Sequence, residues 1–115
     1  MAYVAAHPEF YTGKIIGAGD PVSLVETLAG TPSTATWRRG VQVVHASSIP
    51  KGTVIATMAD HHYPSVGGNA AICMSQDSFG IRILEQPVGE RARFRTVTRQ
   101  HEGGSNDANA YYVVE

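Results

Sequence analysis

The stretch that decides the fold of this chain is Gly17-Ala18-Gly19-Asp20-Pro21-Val22-Ser23-Leu24-Val25-Glu26, because it holds the start of a helix and most of its apolar face. Asp20 is a favoured N-cap residue, Pro21 suits the first helical position, and Gly30 suits the exit. The sequence therefore predicts a helix of about two to three turns over residues 21–29. At helical spacing, four apolar side chains share a face that should be buried, namely Pro21, Leu24, Val25 and Leu28.

Downstream of the helix, five segments have the alternating or β-branched composition that is typical of strands. They are residues 53–58, 70–74, 81–86, 93–99 and 110–114. The segment 37–40 is predicted to form a compact turn or short helix. One early helix followed by consecutive strands predicts an α+β fold, in which an N-terminal helix packs on a curled antiparallel sheet of about five strands. The length of 115 residues predicts a single domain that spans residues 1–115.

Composition and charge narrow the function classes. The net charge of −1 gives no general electrostatic case for binding nucleic acid or an anionic membrane. Arg91, Arg93 and Arg95 have the spacing of one strand face, which we interpret as a solvated face in preference to an anion site.

A single cysteine excludes an internal disulfide, and no apolar run is long enough for a membrane span. A soluble chain without a visible signal peptide is expected, and non-classical secretion stays open.

Several segments resemble small single-domain cell-wall amidases of the NlpC-type and CHAP-like superfamily, which have a papain-like fold. The two main segments are 17–26 and 67–72, and further matching segments follow the family order over nearly the whole chain. They are 11–14, 36–40, 50–57 and 109–114. The resemblance implies cleavage of amide bonds in cell-wall stem peptides by a Cys-His pair, with a third polar residue that orients the base.

Carried over position by position, the resemblance places Pro21 where the family has its cysteine and Asn69 where it has its histidine. Glu85 lies where the orienting acid is expected. Proline has no nucleophile, and an asparagine amide does not exchange a proton near neutral pH. The resemblance thus predicts a pseudoenzyme without catalytic residues, which binds a cell-wall peptide or glycan, or a protein partner, through a degenerate cleft. Its candidate binding residues are Asp20, Pro21, Asn69, Glu85, His61, His62 and Trp37.

Two other chemical groups are weighed and set aside. Cys73 lies in an apolar run, where a buried and unactivated thiol is expected rather than a nucleophile. His61 and His62 follow Asp60, but adjacent histidines in an extended loop diverge and no third ligand has a recognised spacing. We therefore expect no metal and no cofactor, and we interpret this segment as a solvated loop that can rim a cleft.

Two alternatives to the pseudoenzyme stay open. The first is an interaction protein with defence or immune-modulating activity, with Trp37, Tyr111 and Tyr112 as exposed aromatic anchors. That hypothesis predicts a homodimer or a complex with a partner protein. The second is a hydrolase with a rearranged site that uses Cys73 or a histidine.

Overall fold

The computed structural model describes residues 1–64 and 66–115. Ser65, which falls within the loop predicted to rim a cleft, lies outside the described residues. The regular elements are one α-helix and six strands. They are α1 (Pro21–Ala29), β1 (Arg39–Gln42), β2 (Thr53–Thr57), β3 (Ala70–Gln76), β4 (Gly80–Glu85), β5 (Arg93–Thr98) and β6 (Tyr111–Val114). Short 3₁₀ turns cover Pro8–Tyr11, Thr34–Thr36, Val43–His45 and Ala108–Ala110.

Helix α1 begins and ends where the sequence predicts. The Asp20 carboxylate accepts a hydrogen bond from the Ser23 backbone N–H at 2.8 Å, which completes one half of a capping box. Gly30 ends the helix in the left-handed region at φ 68°. Leu24 and Val25 are fully buried, whereas Pro21 and Leu28, near the ends of this short helix, are only half-buried.

The sheet is antiparallel throughout, with the strand order β1-β6-β2-β3-β4-β5. The predicted α+β class is confirmed, but the sheet has one strand more than predicted. The extra strand is β1, which contains Arg39 and Gly40 of the segment predicted as a turn or short helix. It forms because Arg39 pairs with Val114 and Gln42 pairs with Tyr112, and a pairing between distant segments is invisible to local patterns.

Apolar clusters cover the two faces of the sheet. Ala70 and Ile72 belong to the cluster that contains α1, while Ala71 and Cys73 belong to the other cluster. This division follows the two-residue period of a strand. Because both faces are covered, every residue of β2 is buried. The alternation decides which face of the sheet each candidate side chain reaches.

Candidate functional site

The start of α1 is tied to the end of β4 by the buried side chain of Gln86. Its Oε1 accepts a hydrogen bond from the Ile16 N–H at 2.7 Å. Its Nε2 donates to the carbonyl oxygens of Ile16 at 2.9 Å and Asp20 at 3.0 Å. Sequence reasoning placed Gln86 only as the end of a strand. No local signal distinguishes Gln86 from a solvated side chain, because it follows the charged Glu85 at the end of the strand.

Asn69, Glu85 and Tyr111 form a buried polar network at the start of β3, the end of β4 and the start of β6. The Asn69 Nδ2 donates to Glu85 Oε1 at 3.3 Å and to Tyr111 Oη at 2.8 Å. The Tyr111 hydroxyl in turn donates to the Ser105 carbonyl oxygen at 2.8 Å. The structure therefore brings together the two residues that the resemblance places at the positions of the base and its orienter. Both donor hydrogens of the Asn69 amide are used within this network.

Two arginines of β5 neutralise Glu85, whose side chain is 3% exposed. Arg95 binds it in a bidentate manner, with Nε to Oε2 at 2.9 Å and Nη2 to Oε1 at 3.0 Å. Arg93 donates from Nε to Oε2 at 3.1 Å. The interpretation of this arginine row as a solvated face is therefore wrong for Arg95, whose side chain is 26% exposed, whereas Arg91 and Arg93 are exposed. A buried carboxylate needs compensating charge, and the alternation of β4 could not reveal that Glu85 faces β5.

The same network borders a cavity of about 400 Å³. Its lining comprises Gly68, Asn69, Glu85, Pro87, Arg93, Arg95, Ser105 and Asn106. Arg95 also donates to the Ser105 carbonyl oxygen at 3.0 Å and to Asn106 Oδ1 at 2.9 Å. Because its guanidinium holds both Glu85 and this loop, Arg95 connects the network to the wall of the cavity.

A second, larger cavity of about 650 Å³ lies beside the 3₁₀ turn at Thr34–Thr36 and the start of β1. Its lining comprises Ala35, Thr36, Trp37, Arg38, Arg39, His61 and His62. Three of the predicted binding residues, Trp37, His61 and His62, therefore lie together, apart from Asn69 and Glu85. His61 and His62 are both exposed, as expected for a loop that rims a cleft.

A third cavity of about 530 Å³ extends this one toward the first turn of α1. It shares Ala35 and His62 with the larger cavity, and its lining comprises Val22, Thr34, Ala35, His62, Tyr63 and Pro64. We call these two adjoining cavities the histidine groove. Of the predicted residues at the helix start, neither Asp20 nor Pro21 lines the groove, although their neighbour Val22 does.

Tyr63 is half-buried within the histidine groove and packs edge-on against Trp37, with ring centroids 5.0 Å apart. Burial, together with smaller contributions from the nearby Tyr111 and Asp20, raises the pKa of the Tyr63 phenol to about 12. The hydroxyl therefore stays protonated at neutral pH and can act as a hydrogen-bond donor.

Trp37 and Tyr111 do not serve as exposed anchors. Trp37 is 1% exposed and Tyr111 is 0% exposed. The Trp37 indole donates from Nε1 to the Pro32 carbonyl oxygen at 2.9 Å and packs in the core cluster that contains α1. The expectation of exposed aromatic anchors is therefore wrong at these two residues, because their rings fill the space against the two faces of the sheet.

Cys73 is buried, as the sequence predicts, and it lies on the face of the sheet opposite α1. Burial raises the pKa of its thiol to about 11. A thiol that is protonated and inaccessible at neutral pH is not a nucleophile. Cys73 therefore cannot react with a ligand in the histidine groove or in the cavity beside Asn69 and Glu85.

We expect Cys73 to resist alkylation in the folded protein. At neutral pH, iodoacetamide should modify it at least about 100-fold more slowly than in the denatured chain, because the raised pKa alone lowers the thiolate fraction by about that factor. Intact-protein mass spectrometry over time, with and without denaturant, measures both rates. Similar rates in the two states would show that the thiol is accessible.

Among residues 1–64 and 66–115, no group of three or more His, Cys, Asp or Glu side chains is arranged to hold a metal ion. The same part of the chain contains no helix that is both long and apolar enough to cross a membrane.

Comparison with known proteins shows that the chain is similar to one family over nearly its full length. The family model described as Domesticated amidase effector 2 matches residues 1–114. A protein of Salmonella typhi, named Type VI secretion amidase effector 2 protein, is 30% identical over 133 residues, with all of both chains covered. A solved structure of Type 6 secretion amidase effector 2 superposes with a TM-score of 0.87 at 28% identity, covering 98% of this chain and 94% of that chain.

These matches contradict the prediction of an inactive pseudoenzyme, because the family and both relatives are described as amidase effectors. They agree with a papain-like amidase fold and give no support to a defence or immune-modulating activity. They do not test whether Pro21 and Asn69 replace a cysteine and a histidine, so that correspondence stays a prediction. The roles of Asp20, Glu85, His61, His62 and Trp37 in binding are likewise untested.

Proposed function

The chain belongs to the domesticated amidase effector 2 family, and from this premise we propose that it hydrolyses an amide bond of a peptidoglycan stem peptide. The relatives named above are amidase effectors of type VI secretion, and by analogy we propose that this protein is delivered to its substrate by secretion. The proposed enzyme is a hydrolase with a rearranged site. Because Cys73 is buried on the face of the sheet opposite α1, we assign the chemistry to a histidine.

Amide hydrolysis requires a nucleophile, a group that takes its proton and a donor for the oxyanion. The observation that carries the assignment is that His62 and Tyr63 line one cavity beside the first turn of α1. An imidazole is the side chain that most often accepts and returns a proton in catalysis. The raised pKa of Tyr63 keeps its hydroxyl available as a donor.

We assign the steps as follows. The oxygen of a water molecule attacks the carbonyl carbon of the bound amide while His62 takes a proton from that water. The Tyr63 hydroxyl donates a hydrogen bond to the oxyanion of the tetrahedral intermediate. The carbon–nitrogen bond then breaks, and the protonated imidazole returns its proton to the leaving amine. The products are a carboxylic acid and an amine, and the imidazole ends in its starting state.

His62→Gln is expected to lower kcat for stem-peptide hydrolysis by at least about 100-fold, because it removes the group that moves the proton. The matched control is His61→Gln, because His61 lines the larger cavity but not the cavity beside α1. Mass spectrometry of purified disaccharide-peptide fragments incubated with each protein measures the turnover.

Turnover by His62→Gln at the level of the His61→Gln control would reject His62 as the base. A second variant, Tyr63→Phe, tests the oxyanion donor and should lower kcat with little change in KM. Absence of any new product from the unmodified protein, across fragments with different cross-links, would overturn the proposed function itself.

A further inference from the structure

The seven arginines of this chain fall into two groups by what their guanidinium groups contact. Five in the C-terminal half donate hydrogen bonds to protein oxygen atoms. They are Arg82, Arg91, Arg93, Arg95 and Arg99. Within the part of the chain that the structure describes, the guanidinium groups of Arg38 and Arg39 make no hydrogen bond and no ion pair. Their donors therefore point into solvent or toward a ligand.

Both of these arginines line the larger cavity of the histidine groove, together with His61 and His62. None of the described residues that line this cavity is acidic. The nearby Glu115 carboxylate is 3.7 Å from the Met1 amino group. The chain as a whole carries a net charge of −1, so this concentration of cationic and imidazole groups is a local feature.

Among the described residues, backbone hydrogen bonds and ring stacking hold the two arginines in place without using their guanidinium N–H donors. The Arg38 N–H donates to the Glu115 carbonyl oxygen at 2.7 Å, and the Glu115 N–H donates back to the Arg38 carbonyl oxygen at 2.9 Å. Arg39 lies in β1, and its guanidinium stacks over the Tyr112 ring at 4.8 Å from the centroid. Stacking restricts the side chain without using its N–H donors, so less entropy is lost when an anion binds.

Resting on the proposed function, we propose that Arg38 and Arg39 form a carboxylate subsite, which binds a free carboxylate of the stem peptide while the scissile amide lies near His62. Guanidinium groups match carboxylates through paired N–H donors, and such charge-assisted bonds are stronger than neutral ones. A stem peptide carries both groups that the proposal requires: an amide bond to lie near His62 and free carboxylates to bind the arginines. The two cavities of the groove, one lined by Arg39 and the other by Val22, adjoin at the shared residues Ala35 and His62.

Binding of a disaccharide-tetrapeptide with free carboxylates, compared with the same fragment whose carboxylates are amidated, tests the subsite. The His62→Gln protein is used so that turnover does not consume the probe. Trp37 is the only tryptophan and lines the cavity, so its fluorescence reports binding, with calorimetry as a second readout. We expect the free-carboxylate fragment to bind at least about tenfold more tightly than the amidated one.

The double variant Arg38→Gln with Arg39→Gln, in the same His62→Gln background, should lose that difference by weakening only the free-carboxylate fragment. The matched control is Arg82→Gln with Arg91→Gln, which removes the same two charges from exposed arginines outside the groove. A thermal unfolding curve checks that each variant folds. If the double Gln variant does not fold, lysine at both positions replaces it and should retain part of the preference for the free-carboxylate fragment.

Equal affinity for the two fragments, or equal loss in the Arg82→Gln with Arg91→Gln control, would overturn the subsite. Competition by inorganic phosphate without any preference between the two fragments would overturn its assignment to a carboxylate. Because binding is measured without turnover, the subsite can hold even if no hydrolysis is found. Conversely, active protein with no carboxylate preference would reject the subsite alone.

Discussion

Replacing Glu85 with alanine is expected to lower the free energy of unfolding by about 3–4 kcal/mol, because it removes the buried partner of two arginines. Glu85 is 3% exposed and accepts hydrogen bonds from Asn69, Arg93 and Arg95. Without it, the Arg95 guanidinium, at 26% exposure, keeps its charge in a poorly solvated place. Urea unfolding of the two proteins, followed by circular dichroism, measures the difference.

Three further variants separate the contributions of Glu85 and its two arginine partners. Glu85→Gln retains the size and one acceptor oxygen, so its cost should be clearly smaller than that of the alanine variant. Arg93→Ala should cost less than Arg95→Ala, because Arg93 is 50% exposed and water can replace it. A Glu85→Ala protein within about 1 kcal/mol of the original would show that this network contributes little to stability.

Replacing Gln86 with leucine is expected to cost about 2–4 kcal/mol, because a side chain of similar size leaves the buried Ile16 N–H without a partner. It also removes one hydrogen bond each from the carbonyl oxygens of Ile16 and Asp20, which keep their other backbone donors. Since the two residues flank the turn before α1, the first turn of the helix should also become more mobile. Hydrogen exchange of the backbone around Ile16 should rise together with the loss of stability.

The matched variant Gln86→Glu separates hydrogen bonding from packing. It keeps an acceptor for the Ile16 N–H but directs an oxygen at two carbonyl oxygens, so it should also destabilise the protein. Any loss of stem-peptide turnover in either variant would follow from displacement of Val22 beside His62, and so Gln86 is a positioning residue. Unchanged exchange around Ile16 in Gln86→Leu would contradict this role.

The helix could be predicted from the sequence, whereas the polar network could not. The bounds of α1 follow from Asp20, Pro21 and Gly30, whose preferences act within a few residues. By contrast, the bond between Gln86 and Ile16 joins residues 70 positions apart, and the bond between Asn69 and Tyr111 joins residues 42 apart. No local pattern distinguishes such a Gln or Asn from one that faces water.

The function prediction was wrong because it treated two positions, assigned only by resemblance, as the whole of the chemistry. Pro21 and Asn69 do lack the groups of a cysteine-histidine pair, but the family and its named relatives are amidase effectors. The sequence shows His62 and Tyr63 as neighbours in a loop and gives no sign that they line a cavity with Val22 of α1. That juxtaposition depends on how the loop folds back over the helix.

The sequence by itself determined the α+β class, the bounds of α1, the approximate positions of five strands and the burial of Cys73. These features depend on capping, on alternation and on apolar runs, all of which act over a few residues. Only the tertiary structure decided that β1 pairs with β6, that Glu85 lies between two arginines, and that Arg38 and Arg39 join His61 and His62 in one groove. Those outcomes depend on the register and burial of segments far apart in the chain, which are set when the whole sheet assembles.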